Sequence, residues 1–129
     1  MAQIVLDNQE LVNILRRYLP PMKYLTTIEA AGKDIRFTFK ASPALPSTHL
    51  VLKFAGYHAP DLHYQLKSGP MLRLLIDAFK NRMPAGIRLT DDILKIDIRH
   101  LIAKKTNDWQ ITEILQANDG RYLIEVEIV

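Results

Sequence analysis

The sequence predicts an α+β fold, in which two amphipathic helices pack on one face of a twisted antiparallel β-sheet built from hairpins. Two stretches, Leu11 to Leu19 and Pro70 to Met83, carry apolar residues at helical spacing. Several other stretches alternate apolar and polar residues, as strands with one solvent-facing side do. Short turn-forming segments separate them, which favours hairpins between neighbouring strands.

The chain is expected to start with a short strand over residues 2–6, followed by the first helix. Asp7 stands three residues before Glu10. At this spacing the first side chain caps a helix and the second bonds back to the N–H of the cap residue. The apolar stripe from Leu11 to Leu19 follows, and Pro20-Pro21 should end the helix.

Four strands are expected next, because β-branched and aromatic residues alternate with polar ones and turn residues separate the runs. Gly32-Lys33-Asp34 supplies the turn of the first hairpin. The predicted strands are Lys23–Ala30, Ile35–Lys40, Leu50–Ala55 and Leu62–Lys67.

The stretch from Ser68 to Arg99 predicts a second helix and a hairpin. Ser68-Gly69-Pro70 is typical of a helix start, since Ser or Gly caps the free N–H groups and proline suits the first turn. Pro84 and Gly86 should stop the helix after Met83. The predicted strands are then Ile87–Leu89, Leu94–Arg99, Trp109–Gln116 and Tyr122–Ile128, the last two joined by a turn at Asn118-Asp119-Gly120.

A further hypothesis is an internal duplication of a helix–hairpin unit. The stretches Leu11–Lys40 and Leu72–Arg99 share an order of apolar helix, proline break, strand, polar turn and alternating strand. Few residues are identical between them, so chance similarity is the alternative interpretation.

Composition indicates one domain over residues 1–129, since a chain of this length can bury a substantial core. No cysteine is present, so a disulfide framework, a thiol nucleophile and thiolate metal sites are excluded. No run approaches the ~18 apolar residues of a transmembrane helix. We therefore expect a soluble, cytoplasmic protein without a transmembrane segment.

The charges favour no particular partner. Seventeen basic and fourteen acidic residues give a formal charge of +3, and they are interspersed along the chain without a basic block. Such a small excess mainly supports solubility. From this pattern we expect no nucleic-acid partner.

The candidate metal ligands are His58, Asp61 and His63. Zinc or iron needs three such ligands at about 2 Å. Gly56 and Pro60 indicate a turn here, with Asp61 and His63 on one face of the strand that leaves it and His58 before the bend. The alternative interpretation is that His58 and His63 are exposed side chains of a loop and a strand without a bound metal.

Catalytic motifs are lacking in the sequence. It contains no Gly-x-Ser-x-Gly, no glycine-rich phosphate loop and no dinucleotide fingerprint. Ser68 is better explained as a helix cap than as a nucleophile. We expect no cofactor and no catalytic residue.

The function expected from the sequence is binding without catalysis. More apolar surface is available than one layer of helices on a sheet requires, which favours a groove for a lipid-like small molecule or a partner segment. Its expected lining is Phe37, Phe39, Phe54, Leu72, Ile76 and Phe79. One alternative is a homodimer without a ligand, paired through the terminal strand Arg121–Ile128. The other is a metal-dependent enzyme using His58, Asp61 and His63.

Overall fold

The structure is a computed structural model that describes residues 2–18, 25–40, 43–44, 46–67, 85–90, 92–101 and 109–128. Strand accounts for 65% of it, which makes the fold mostly antiparallel β. The strands are β1 (Ala2–Leu6), β2 (Leu25–Ala31), β3 (Asp34–Phe39), β4 (Thr48–His58), β5 (Asp61–Lys67), β6 (Ile87–Thr90), β7 (Ile93–Asp97), β8 (Trp109–Gln116) and β9 (Tyr122–Ile128). The helices are α1 (Asn8–Tyr18) and the single turn α2 (Ile98–Leu101).

The strands form two antiparallel sheets that share one core. One sheet has six strands in the order β2-β3-β4-β5-β7-β6, and the other has three in the order β1-β9-β8. Tyr64 on β5 and Phe54 on β4 both contact Tyr122 on β9, through a hydroxyl hydrogen bond and a ring contact respectively. The inner faces of the two sheets therefore pack against one another, with α1 beside them.

The predicted α+β class is wrong. Each expected strand has a counterpart, although the predicted strand Leu94–Arg99 ends at Asp97 because Ile98 and Arg99 begin α2, and three of the strands form a second sheet. Among the described residues α1 is the only helix longer than one turn, and the predicted helix from Pro70 to Met83 lies outside them. Alternation along a strand shows which of its sides is apolar. It does not show whether a helix or another sheet covers that side.

The start of α1 confirms the predicted cap. The Glu10 backbone N–H donates to the Asp7 carboxylate at 2.7 Å, and the Asp7 backbone N–H donates to the Glu10 carboxylate at 3.1 Å. This reciprocal pair satisfies donors that a helix start otherwise leaves free. Leu11, Val12 and Leu15 then turn into the core.

The hairpins expected from the turn residues are confirmed. The β2–β3 hairpin lies at one edge of the six-stranded sheet and the β6–β7 hairpin at the other, each with its second strand on the inner side. Each of these two hairpins belongs to one of the two units of the hypothesised duplication. The helix of its second unit, Leu72 onward, lies outside the described residues, so the duplication stays a prediction.

The turns of two hairpins meet where the two sheets adjoin. The Gln116 side-chain amide donates to the Lys33 carbonyl at 2.7 Å. Gly120 has a φ of +92°, and a Cβ atom built on it would lie 3.0 Å from the Lys33 Cα atom. A residue without a side chain is therefore required for the β8–β9 turn to contact the β2–β3 turn.

Candidate functional site

An apolar cavity lies between α1, the inner face of the three-stranded sheet, and the segment of β5 and α2 beneath it. Its volume is about 80 Å³, and all of its lining side chains are aliphatic except Tyr122. The lining residues are Leu6, Leu11, Ile14, Leu62, Ile98, Ile111, Ile114, Tyr122 and Ile124. We call this space the apolar cavity.

Strand register explains why residues distant in sequence meet at the cavity. Ile124 on β9 is paired with Ile4 on β1 and with Ile114 on β8, so all three lie in one row on the inner face. A bulge between Ile111 and Glu113 shifts the register of β8. Because of that extra residue, Ile111 and Ile114 both reach the inner face although they are three positions apart.

Exposure indicates where the apolar cavity opens. Leu6, Ile14 and Ile111 are half-buried, whereas Leu11, Leu62 and the remaining lining residues are buried. The three half-buried residues belong to β1, α1 and β8. The mouth therefore lies at the margin where the helix crosses the three-stranded sheet.

A buried polar network forms the wall behind the apolar cavity. The Tyr64 hydroxyl donates to the Tyr122 hydroxyl at 2.9 Å, and the Tyr122 hydroxyl donates to Asn8 Oδ1 at 3.4 Å. Asn8 Nδ2 donates to the carbonyls of Gly32 at 3.0 Å and Asp34 at 2.7 Å. The network thus ties the start of α1 to both sheets.

Burial shifts the acidities of the two tyrosines. It raises the pKa of Tyr122 to about 12. It also raises the pKa of Tyr64, which is fully buried, well above its ordinary value. Both hydroxyls are therefore neutral near pH 7, and neither can act as a base there.

The three predicted groove residues that the structure describes, Phe37, Phe39 and Phe54, are not among the lining residues of the apolar cavity. Phe37 and Phe39 are buried on the inner face of β3, with ring centroids 6.4 Å apart. Phe54 is half-buried, and its ring contacts Tyr122 edge-on at 5.4 Å. Phe37 and Phe39 belong to the core, and Phe54 packs against it. The other predicted lining residues, Leu72, Ile76 and Phe79, lie outside the described residues.

None of the actual lining residues was predicted to form a site. The sequence predicts Leu11 on the apolar face of the first helix, and it predicts strands at Leu62, Ile111, Tyr122 and Ile124. That assignment correctly places them in elements with an apolar face. The signal for the cavity itself is absent from the sequence, since it depends on how two sheets and a helix meet.

The candidate metal ligands lie at the β4–β5 turn. The rings of His58 and His63 stack with centroids 4.4 Å apart, and the Asp61 carboxylate accepts a hydrogen bond from Arg88. Burial, with His58 and Lys95 nearby, lowers the pKa of His63. No group of three or more His, Asp or Glu side chains that could hold a metal ion occurs in the described parts of the chain.

Strand β1 is an exposed apolar edge next to the mouth of the apolar cavity. Ile4 and Val5 are 44% and 46% exposed, and β1 carries no charged residue. It ends the three-stranded sheet, so its outer backbone groups pair with none of the described strands. Such an edge is a template for another strand.

The terminal strand β9 lies in the middle of that sheet, between β1 and β8. Both of its edges are already paired, so the expected edge-to-edge contact through Arg121–Ile128 is not open in this fold. The exposed edge belongs to β1 instead. On the outer face, Leu123 is flanked by Val5 and by Leu115, which is 53% exposed.

A scan of protein-family models found no match to this chain, and searches of curated proteins and of solved structures found no significant similarity. No helix among the described residues is long and apolar enough to cross a membrane.

Proposed function

We propose that this protein is a non-catalytic interaction domain that binds an extended, apolar segment of a partner protein. The observation that carries the proposal is the apolar cavity opening beside an exposed edge strand. An extended segment can pair its backbone with β1 while one aliphatic side chain enters the cavity.

The cavity volume favours a side chain over a lipid. An apolar cavity of ~150 Å³ accommodates benzene, and the present cavity measures about 80 Å³. A branched aliphatic side chain suits that space, whereas a long acyl chain exceeds it. The polar side-chain group in its described lining is the Tyr122 hydroxyl, which already forms hydrogen bonds with Tyr64 and Asn8.

The absence of suitable acid–base groups supports a non-catalytic role. Every residue lining the apolar cavity is uncharged. Tyr122, its sole ionisable member, has a pKa raised to about 12 by burial. General acid–base catalysis is most effective with a group whose pKa lies near the working pH, and this wall supplies none.

The test is selection of binding segments from a phage library of short random peptides. We expect the selected peptides to share an extended apolar stretch containing an aliphatic residue. Leu6→Phe adds volume inside the cavity and should weaken binding of those peptides by about tenfold or more, equivalent to ~1.4 kcal/mol. Val5→Phe is the matched control, since Val5 neighbours Leu6 on β1 and faces the opposite side of the sheet.

Two results would contradict the proposal. One is a selection that yields no peptide with a measurable affinity. The other is equal weakening by Leu6→Phe and Val5→Phe, because binding would then not depend on the cavity. Native mass spectrometry of the purified protein adds a check, since a retained lipid would favour the small-molecule interpretation instead.

A second candidate function is homodimerisation through β1. The exposed side chains of Val5 and Leu115 flank Leu123 on the outer face, and the β1 edge could pair with the β1 edge of a second copy. Val5→Lys should then yield a monomer, because pairing would bury the charge. Sedimentation equilibrium that gives the mass of one chain at every concentration of the unaltered protein would exclude this candidate.

A further inference from the structure

The outward face of the six-stranded sheet gathers basic side chains that are far apart in sequence. Strand register places them in three adjacent rows, which contain Arg36 and Lys67, then Lys53, then Lys95 and Arg88. Each alternates along its strand with a residue of the core. We call this surface the basic face, defined by Arg36, Lys53, Lys67, Arg88 and Lys95.

Three acidic residues adjoin the basic face, namely Glu29, Asp61 and Asp97, which is paired in register with Asp61 and forms an ion pair with Arg99. The Glu29 carboxylate accepts a hydrogen bond from the Arg36 guanidinium at 2.9 Å, and the Asp61 carboxylate accepts one from the Arg88 guanidinium. None of the ion pairs found among the described residues involves the three lysines of the face. An excess of positive charge is therefore left at its centre.

Acidic side chains outnumber basic ones in the rest of the described chain. Away from the basic face and its three adjoining acids, the described residues include eight acidic and six basic side chains. Glu113 and Glu125 lie directly opposite one another on the outer face of the three-stranded sheet. The charges of the described residues thus favour the approach of an anionic partner at the basic face.

Imidazole rings extend the basic face. His63 lies in the same row as Lys95 and Arg88. Its ring stacks on that of His58, which is exposed. Imidazole rings are among the groups on which unpaired bases stack.

Among its described residues the basic face has no large exposed apolar anchor for a membrane or a protein partner, since Val51 and Ile93 in its rows are half-buried. The large exposed hydrophobic side chains of the described chain are Ile4, Val5 and Leu115, which all belong to the other sheet. At ~4.8 Å per strand, the basic face spans about 19 Å from β3 to β6. That is wider than the ~12 Å major groove of B-DNA.

We propose that the basic face binds single-stranded nucleic acid, with the lysines and arginines contacting phosphates and the His58 ring stacking on a base. Alternate residues of a strand lie ~6.8 Å apart, so the three rows form a cationic strip along which a single strand can run. Each phosphate contact should contribute a slope of about −0.7 to the dependence of log K on log salt.

The experiment measures fluorescence anisotropy of labelled oligothymidine and oligouridine over a series of salt concentrations. The test variant combines Lys53→Gln, Lys67→Gln and Lys95→Gln. The control combines Arg17→Gln, Lys33→Gln and Arg121→Gln, which removes the same charge from exposed positions elsewhere. Thermal melting verifies that both variants fold.

The unaltered protein should bind the single strands, and the test variant should lose at least tenfold in affinity, with a salt slope shallower by about 2. The control should lose less than threefold. His58→Ala should weaken binding severalfold without changing the slope. Equal losses in the two triple variants would overturn the proposal. So would equal binding of a DNA duplex, or binding of phosphatidylserine vesicles in place of the oligonucleotides.

Discussion

Replacing Tyr122 by Phe tests the buried hydrogen-bond network behind the apolar cavity. The substitution leaves the ring in place and removes the oxygen that joins Tyr64 to Asn8. The Tyr64 hydroxyl then has no acceptor, and Asn8 Oδ1 loses its donor. An unsatisfied buried polar group costs ~1–3 kcal/mol, and the Asn8 bond is long at 3.4 Å. We therefore expect a loss of about 2–3 kcal/mol in the free energy of unfolding.

Tyr64→Phe is the matched control. It removes only a donor to Tyr122, which still donates to Asn8, so a loss of about 1 kcal/mol is expected. The double variant should lose less than the sum of the two single variants, because the orphaned Tyr64 hydroxyl is then absent. A larger loss in Tyr122→Phe than in Tyr64→Phe would therefore show that Tyr64 donates to Tyr122 and Tyr122 donates to Asn8.

Urea denaturation followed by circular dichroism measures these losses, provided that the m-value is the same for all variants. In thermal melting, a loss of 2–3 kcal/mol should lower Tm by roughly 10 °C for a domain of this size. A Tyr122→Phe loss equal to or smaller than that of Tyr64→Phe would refute the network, because the bridging hydroxyl would then contribute nothing beyond one bond.

Three further predictions concern a turn and two titrations. Gly120→Ala should cost about 2–4 kcal/mol in urea denaturation, because its Cβ would lie 3.0 Å from the Lys33 Cα and its φ is +92°. Gly32→Ala, with φ +65° and nothing within 4 Å of the new Cβ, should cost only about 1 kcal/mol. Burial raises the pKa of Tyr122 to about 12, so its contribution to the free energy of unfolding should be complete below pH ~10 and decrease as pH rises toward 12. Urea denaturation over this pH range should show the decrease, and Tyr122→Phe should make the decrease smaller. Burial lowers the pKa of His63 in the folded protein, so His63 of the unfolded chain is protonated at a higher pH than His63 of the folded chain. The free energy of unfolding should therefore decline as pH falls below ~6.5. An unchanged decline in His63→Gln would contradict this.

Local patterns in the sequence were sufficient to predict α1 and the core of each described strand. Alternation between buried and exposed side chains along β5 follows directly from Leu62, Tyr64 and Leu66. The capping pair of Asp7 and Glu10 determines where α1 begins. These features were predictable because each depends on residues within a few positions of one another.

The partners of those elements were decided by tertiary structure. Tyr122 lies on a strand that the sequence predicts, yet nothing local indicates that it bonds to Tyr64 across the core. The bulge that brings Ile111 and Ile114 to one face breaks the period-two pattern on which strand prediction rests. The apolar cavity arises where these long-range contacts leave a gap.

The sequence by itself determined the strands, their apolar sides, the first helix and its cap, and the absence of cysteine chemistry. Only the tertiary structure decided that the strands form two sheets, that β9 is internal while β1 is an edge, and that basic residues such as Lys53 and Lys95 share one face. The physical reason is that strand pairing is non-local. Residues interspersed along the chain become neighbours through register, which no short stretch of sequence specifies.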